Sequence, residues 1–494
     1  MDVVRKNSVL SSISGGLAIC VILGVAYRAK QRANKSSLPL PPGPPGGWFT
    51  RTPYSSFQIM EWVKEYGPVF SLQQGSERMV VIGGHQEAYD IMEKEGAYLQ
   101  DRPRWIAARD MLSNGLDPVL VGAGERLKKY PNVGLQAKAA ESYEPIQLDN
   151  AKNMIVDILQ DPKEHAKHAL RYAVAAVLQI TYGKNTPTTN TSPEIIQIER
   201  ILKRFHYAMR PNGFYVDGFP FLKYVPGYAS YLKQWHQDEI GLYRRQLQRV
   251  EDELASGDSG PSFARYLIEN PNEHGLSEGE MAYLSGAFYG AGADTTAVAI
   301  TIMVMAAARF PEAQAKVQEE LDEVIGHGRA PSFADQSLLP QLQAWILETL
   351  RWRPVVLLGF CHRATKDIVW NNFLIPSGTT VLGNHWTISR DAKVFPNPET
   401  FDPQRWLDDN GQVRDNLKFF SFGFGRRVCP GQQVGHRSLF ITAALLLWAF
   451  KLSEDPSAPI DDKAFSDGVV AFLQPFTVKF EPRFEEGSLR TMME

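Results

Sequence analysis

Apolar positions recur every three or four residues along most of the chain, and only short runs alternate with period two. Across residues 58–82 a helical stretch gives way to two alternating runs, 69–72 and 79–82, separated by a turn, which predicts a small sheet. From 87 to 270 the period is mainly helical, broken by polar, Gly and Pro clusters at 186–193 and 258–261. Ser277, Glu278, Gly279 and Glu280 spell a capping box, and the apolar stretch behind it predicts an unusually long helix to about Phe310, with Pro311 opening the next. Further helices are expected at 312–325, 339–352 and 432–450, and short strands at 368–370 and 379–382. The expected fold class is mainly α with small β-sheets, one large helical domain without internal repeats.

Residues 8–27 are apolar and uncharged, about the 20 residues a helix needs to cross hydrocarbon. A cleaved signal peptide is the competing reading, given Arg5 and Lys6 ahead of the stretch and the Ser and Gly within it. Arg28, Lys30, Arg32 and Lys35 behind it outnumber the upstream pair, so the positive-inside bias favours a transmembrane helix with the remaining chain cytosolic. The run from Leu38 to Gly47, rich in Pro and Gly, predicts a stiff extended connector. The expected organisation is a membrane anchor over 1–35, a proline-rich hinge over 36–48 and a catalytic domain over 49–494. Residues 281–308 are also apolar, but Asp294, Thr295 and Thr296 at their middle would be costly in lipid, which argues for a buried core helix.

Composition narrows the classes further. Over 494 residues, 52 Lys and Arg against 55 Asp and Glu leave a net charge of -3, with no basic field for nucleic acid. Three cysteines, Cys20, Cys361 and Cys429, lie in unrelated contexts, which is no disulfide framework and fits a reducing compartment.

Cys429 ends a Gly-rich loop, Phe422, Gly423, Phe424, Gly425, Arg426, Arg427, Val428, Cys429, Pro430, Gly431, directly before a predicted helix whose amide dipoles would favour a thiolate. Glycines let backbone lie close to a flat cofactor, and Arg427 can meet a carboxylate on it. An inert buried cysteine is the bland alternative for a lone Cys. In the long helix, Ala291, Gly292, Ala293, Asp294, Thr295 and Thr296 set an acid beside an alcohol among small residues that would leave room for a ligand. Such a pair can hold a water and relay protons, while Thr bonding back to the preceding turn is the structural alternative. Glu348 and Arg351, spaced i,i+3, read alone as an ordinary solvated pair.

These segments resemble the cytochrome P-450 superfamily. The Cys429 loop matches every fixed position of F-x-x-G-x-R-x-C-x-G, and the resemblance implies heme b held by Cys429 as metal ligand, with Phe422, Gly423, Arg427 and Gly431 around the cofactor. It also implies proton delivery by Thr295 with Asp294 as partner. Glu348 and Arg351 resemble the family's E-x-x-R, and Arg405, between Phe401 and Trp406, resembles the third member of that structural network. His362 stands where related enzymes contact a heme propionate. The resemblance runs from the anchor to the final helix, and the wording of its last third is most similar to fungal microsomal members that serve secondary metabolism.

One helix departs from the pattern. The family's W-x-x-x-R has as its best local match Leu127, Lys128, Lys129, Tyr130 and Pro131, which offers neither Trp nor Arg. Substitution by Arg126 or Lys128, weaker heme retention and an imperfect gene model all remain open. Gly435 is expected to leave the final helix loosely packed.

The implied activity is insertion of one oxygen atom from O2 into an apolar small molecule, a terpenoid or polyketide by lineage resemblance, in a pocket that Phe288 or Val356 could line. Monooxygenation needs two electrons, and no flavin or nicotinamide motif is present, so electrons would come from NADPH through a separate reductase, with cytochrome b5 as a further donor. Arg126, Lys128, Lys129, Lys418, Arg426 and Arg437 are the expected docking patch. The expected location is the endoplasmic reticulum membrane. Two competitors keep their place: a heme-thiolate isomerase rearranging peroxides, which could dispense with Asp294 and Thr295, and a membrane-tethered interaction protein that has lost heme.

Overall fold

A computed structural model describes residues 38–45, 55–74, 77–130, 135–184, 192–210, 213–418, 420–466 and 469–494. The expected anchor, the two ends of the hinge (36–37 and 46–48) and Pro131 lie outside them. Helix α1 (Ser56–Tyr66), capped by the Ser55 hydroxyl, leads into strands β1 (Val69–Gln74) and β2 (Glu77–Ile82). Helices α2 (Glu125–Lys129), α3 (Ala137–Ser142), α4 (Glu144–Gln160), α5 (His165–Tyr182), α6 (Pro193–Ala208) and α7 (Ser230–Ser256) follow. Next come α8 (Glu278–Arg309), α9 (Pro311–Val324) and α10 (Pro340–Trp352). Strands β3 (His362–Arg363), β4 (Ile368–Trp370), β5 (Phe373–Ile375) and β6 (Thr380–Gly383) precede α11 (Gln432–Ala449) and the closing hairpin β7 (Phe450–Glu454) and β8 (Val478–Pro482).

The strands form one four-stranded sheet in the order β1-β2-β6-β3, with β2 and β6 parallel, and two separate hairpins. Residues 38–45 are no free spacer. The Pro42 carbonyl accepts from Ser71 N on β1, the Pro41 carbonyl from the Ser71 hydroxyl, and the Pro39 carbonyl from Leu374 N on β5. A Cβ at Gly43 would sit 1.9 Å from the Ser71 carbonyl oxygen, so only glycine lets this segment lie on the sheet.

Helix α8 runs 32 residues, about 48 Å at 1.5 Å per residue, and both halves of the Ser277 capping box are made. Among the described residues it is the one helix long and apolar enough to cross a membrane, yet 72% of its most apolar window is buried inside the protein. It is a core helix: Ala297 to Ala308 share one apolar cluster with α4, α5, α9, α10 and α11. Its small residues serve close helix packing. A Cβ at Gly286 would meet the Tyr243 ring at 2.2 Å, and one at Gly292 would meet Val177 at 2.6 Å. Gly292 therefore does not open room for a ligand, as its place in the sequence suggested; Ala291 beside it carries the open surface. The connection from α6 to α7 has a different character, exposing Tyr215, Phe219, Phe221 and Tyr224.

Candidate functional site

Cys429 lies three residues before α11, whose buried length anchors it to the main core. The loop is folded by its own backbone: Gly423 N donates to Phe420 O, Arg427 N to Phe424 O and Cys429 N to Phe422 O. Gly423 and Gly425 both hold positive φ, +87° and +52°. At Gly425 a Cβ would also stand 2.8 Å from the Met92 carbonyl oxygen, and its amide donates to Glu93 at 2.8 Å. Gly425 is thus the tightest point of the loop. Gly431 precedes α11, and a Cβ there would reach the Cys429 sulfur at 3.8 Å. Phe422 packs on His436 and against Gly435, where a Cβ would touch the ring at 3.4 Å, so Gly435 fits its neighbour rather than loosening the helix.

Cys429 keeps open surface although protein surrounds it. Burial pushes its thiol above the ordinary value and the Gly431 amide pulls the other way. Burial thus outweighs the one amide that favours the thiolate here, and a positive partner at the sulfur would act in the opposite sense.

Two guanidinium groups, the buried Arg102 and the part-buried Arg427, stand together at this loop. Arg427 Nη2 donates to the carbonyls of Pro118 and Val119, and Arg102 donates to those of Val119 and Cys361. Burial lowers Arg102 to about 9, with the Arg427 charge next in weight, and burial lowers Arg427 to about 10. Arg427 Nη1 is buried without an acceptor. His362 is buried nearby, its Nδ1 2.6 Å from the Leu99 carbonyl; burial first, then the Arg102 charge, push it down to about 3. Asp101 and Asp117 act on Arg427, yet its Nη1 stays orphaned, and a carboxylate placed there would satisfy that N–H.

Sequence reasoning missed Arg102, which sits between Asp101 and Pro103 in a loop with no spacing to flag it. The cations considered for this role near Pro131 have partners of their own. Arg126 pairs with Glu280 and the Gly115 carbonyl, Lys128 with Glu125, and Lys129 donates to Gly275 O.

On α8, Asp294 is buried, and its Oδ2 has no hydrogen-bond partner. Burial, with the Glu199 charge adding, pushes its carboxyl up to about 7. The Thr295 hydroxyl donates to the Ala291 carbonyl at 2.8 Å, the back-bond that the structural alternative required, which leaves its oxygen free to accept.

Glu348, Arg351 and Arg405 meet in one network. Glu348, with no exposed surface, accepts from Arg351 Nε and Nη2 at 2.7 Å each, Arg405 Nε at 3.2 Å, Asp402 N at 2.8 Å and Trp406 Nε1 at 2.9 Å. Arg351 also donates to the carbonyls of Ser389, Pro398 and Thr400, tying α10 to the segment before the Cys429 loop. The solvated pair read from sequence is a buried one.

Other expected residues scatter. Phe288 packs edge-on against Phe263, and the Val356 carbonyl is 3.0 Å from His385 Nδ1. Of the basic patch, Lys418 pairs with Glu93 and Arg437 with Glu141 and Glu144, so with the pairs of Arg126 and Lys128 four of the six cations face carboxylates. Arg426 is exposed.

The cytochrome P450 profile matches residues 46–480. Among curated proteins, cytochrome P450 monooxygenase 64 of Postia placenta is 49% identical over 463 residues, covering 92% of this chain and 94% of its own. Cytochrome P450 monooxygenase 113 of the same fungus is 49% identical over 481 residues, covering 95% and 97%. The echilunin cytochrome P450 monooxygenase of Aspergillus ruber is 31% identical over 472 residues, covering 92% and 86%. A thiol with open surface at a helix start, beside two guanidinium groups one of which keeps a buried N–H without an acceptor, is what a heme enzyme needs of its chain, and with these matches the chain belongs to the cytochrome P450 family, among its fungal monooxygenases.

Proposed function

We propose that the chain is a membrane-anchored monooxygenase of fungal secondary metabolism, with Cys429 as the axial ligand of a heme. The observation that carries this reading is the buried Arg427 Nη1 without an acceptor, beside Arg102 and the open Cys429 sulfur. Arg427 and Arg102 would take heme carboxylates, with His362 alongside, while Phe422, Gly423, Gly425 and Gly431 shape the loop that lets a flat ring approach. Bound there, heme would supply activation of O2 and insertion of one oxygen atom into an apolar substrate, the other leaving as water.

The protein's own share is positional and protonic. Asp294, a buried acid with a carboxyl near 7, is suited to give and retake a proton at neutral pH, and the Thr295 hydroxyl oxygen can hold a water beside it. Glu348, Arg351 and Arg405 keep the segment before the loop in register. Electrons would come from NADPH through a separate reductase, with cytochrome b5 as a further donor, around Arg426 and the neighbouring cations. Residues 1–35 would anchor the chain in the endoplasmic reticulum membrane with the catalytic domain cytosolic. The similarity to the echilunin enzyme favours a secondary metabolite as substrate, and the lineage a terpenoid or polyketide skeleton.

The test is the reduced, carbon monoxide-bound difference spectrum of the full chain produced with heme precursor, beside Cys429→Ser. A red-shifted thiolate-type Soret band lost in the variant is expected. A spectrum indifferent to Cys429 would remove the ligand assignment.

A further inference from the structure

Asp294 leaves an account open. Its Oδ2 is buried and unpartnered, and a polar atom left so inside a protein normally has a reason. The nearest candidate partner comes from another helix: His206 Nε2, in the last turn of α6, stands 3.6 Å away. That is a few tenths of an ångström beyond a hydrogen bond, within reach of a small side-chain rotation.

The surroundings of His206 isolate this contact. Its ring lies 5.4 Å from that of Phe472 and 6.0 Å from that of Phe205, so apolar surface covers its flanks. Only 16% of the His206 side chain and 9% of the Asp294 side chain are exposed. The charges that act on Asp294 are those of Glu199 and Lys203, seven and three residues before His206 on α6, which pair with each other at 3.5 Å. Beyond them the outer face of α6 opens into a solvent groove of about 420 Å³ lined by Glu199, Lys203, Arg204 and Trp235 among others. Glu199 and Lys203 of that groove thus stand on the same helix as His206, which faces Asp294, the residue before Thr295.

We propose that His206 is the positioning residue of Asp294, holding its carboxyl and returning to it the proton it gives up. The inference rests on the proton-donor role given to Asp294 above. Burial disfavours both charged forms, so the one proton that the pair takes up as pH falls through about 7 sits on Asp294 and faces a neutral imidazole. When Asp294 passes its proton inward, the imidazole takes one from groove water and hands it on. The net change is one proton moved from solvent to the Thr295 side, with both side chains restored. Glutamine at 206 could hold the carboxyl but not carry a proton, and phenylalanine could do neither.

The experiment titrates the Asp294 carboxylic acid by difference infrared spectroscopy in the purified holoprotein, with Asp294→Asn identifying the band. It is run on the wild type, His206→Gln and His206→Phe, and NADPH-driven oxygen consumption through a microsomal reductase is followed in H2O and D2O. His206→Phe removes the acceptor that faces the protonated carboxyl and is expected to lower the carboxyl midpoint by about one unit. His206→Gln is expected to keep that midpoint near the wild type, yet to slow oxygen consumption about tenfold with a larger solvent isotope effect. An Asp294 midpoint and isotope effect unmoved by either substitution would overturn the proposal. Oxygen consumption indifferent to Asp294→Asn, with the midpoint still moved by His206→Phe, would instead overturn the proton-donor role of Asp294 and leave the His206 contact standing.

Discussion

Arg102 Nε and Arg427 Nη2 donate to one carbonyl oxygen, that of Val119, each at 3.1 Å. The Arg427 charge acts against Arg102 there, Asp101 offsets only part of it, and a bound dianion would relieve the rest. Arg102→Leu should therefore lose heme: purified protein is expected to carry several-fold less heme per chain, since truncating one member of a buried charged set costs about 2–5 kcal/mol. Arg102→Lys should fall between, keeping the charge without the fork. Heme content equal to wild type in Arg102→Leu would remove Arg102 from the site.

Glu348 accepts five hydrogen bonds with none of its surface exposed. Glu348→Gln leaves Arg351 buried without its charge partner and should cost about 3–5 kcal/mol by denaturant titration. A loss under about 1 kcal/mol would show that the network is not what holds α10 to the 396–402 segment.

Glu239 on α7 accepts from Tyr283 at 2.7 Å and Tyr243 at 3.3 Å, and burial pushes its carboxyl up to about 8. Between the ordinary 4.5 and 8 the folded state holds a proton that the unfolded state has lost, so stability falls as pH rises across that window. Glu239→Gln removes the titration. The variant should gain on the wild type steadily from pH 5 to pH 8 and no further above it, measured by urea unfolding at pH 5, 7 and 9. A difference that is flat with pH would place the proton elsewhere.

Gly425 combines positive φ with a Cβ position 2.8 Å from a carbonyl oxygen, whereas Gly257 at φ +83° has nothing within 4 Å. Gly257→Ala should cost about 1–2 kcal/mol from backbone alone. Gly425→Ala should cost roughly 1–3 kcal/mol more, because Met92 must move. Equal losses would mean that the loop yields without strain.

Periodicity was sufficient for the helices because the core is built from long stretches of one period: α8, α9, α10 and α11 begin and end within a residue or two of their expected limits. The Cys429 loop was legible for another reason, its chemistry being compressed into ten consecutive residues. Arg102 was not, since it joins Arg427 across 325 positions of chain through the Val119 carbonyl, and nothing local marks a cation that will be buried. His206 was hidden likewise, lying within an amphipathic helix whose register with α8 only the tertiary fold sets. Gly292 shows the opposite error, a small residue that suggested space and proved to be packing against Val177.

The connection between α6 and α7 contrasts with the frame beneath it. Tyr215, Phe221 and Tyr224 are 64–77% exposed there, while α8 and α11 are locked into the main core. Mutation is consequently cheap in one region and severe in the other. A lineage that multiplies such enzymes can vary the outer connection freely while the cysteine and its supporting helices stay fixed. Among fungal relatives at 49% identity, differences are expected to concentrate between residues 213 and 231, where new chemistry of recognition can be tried without endangering the fold.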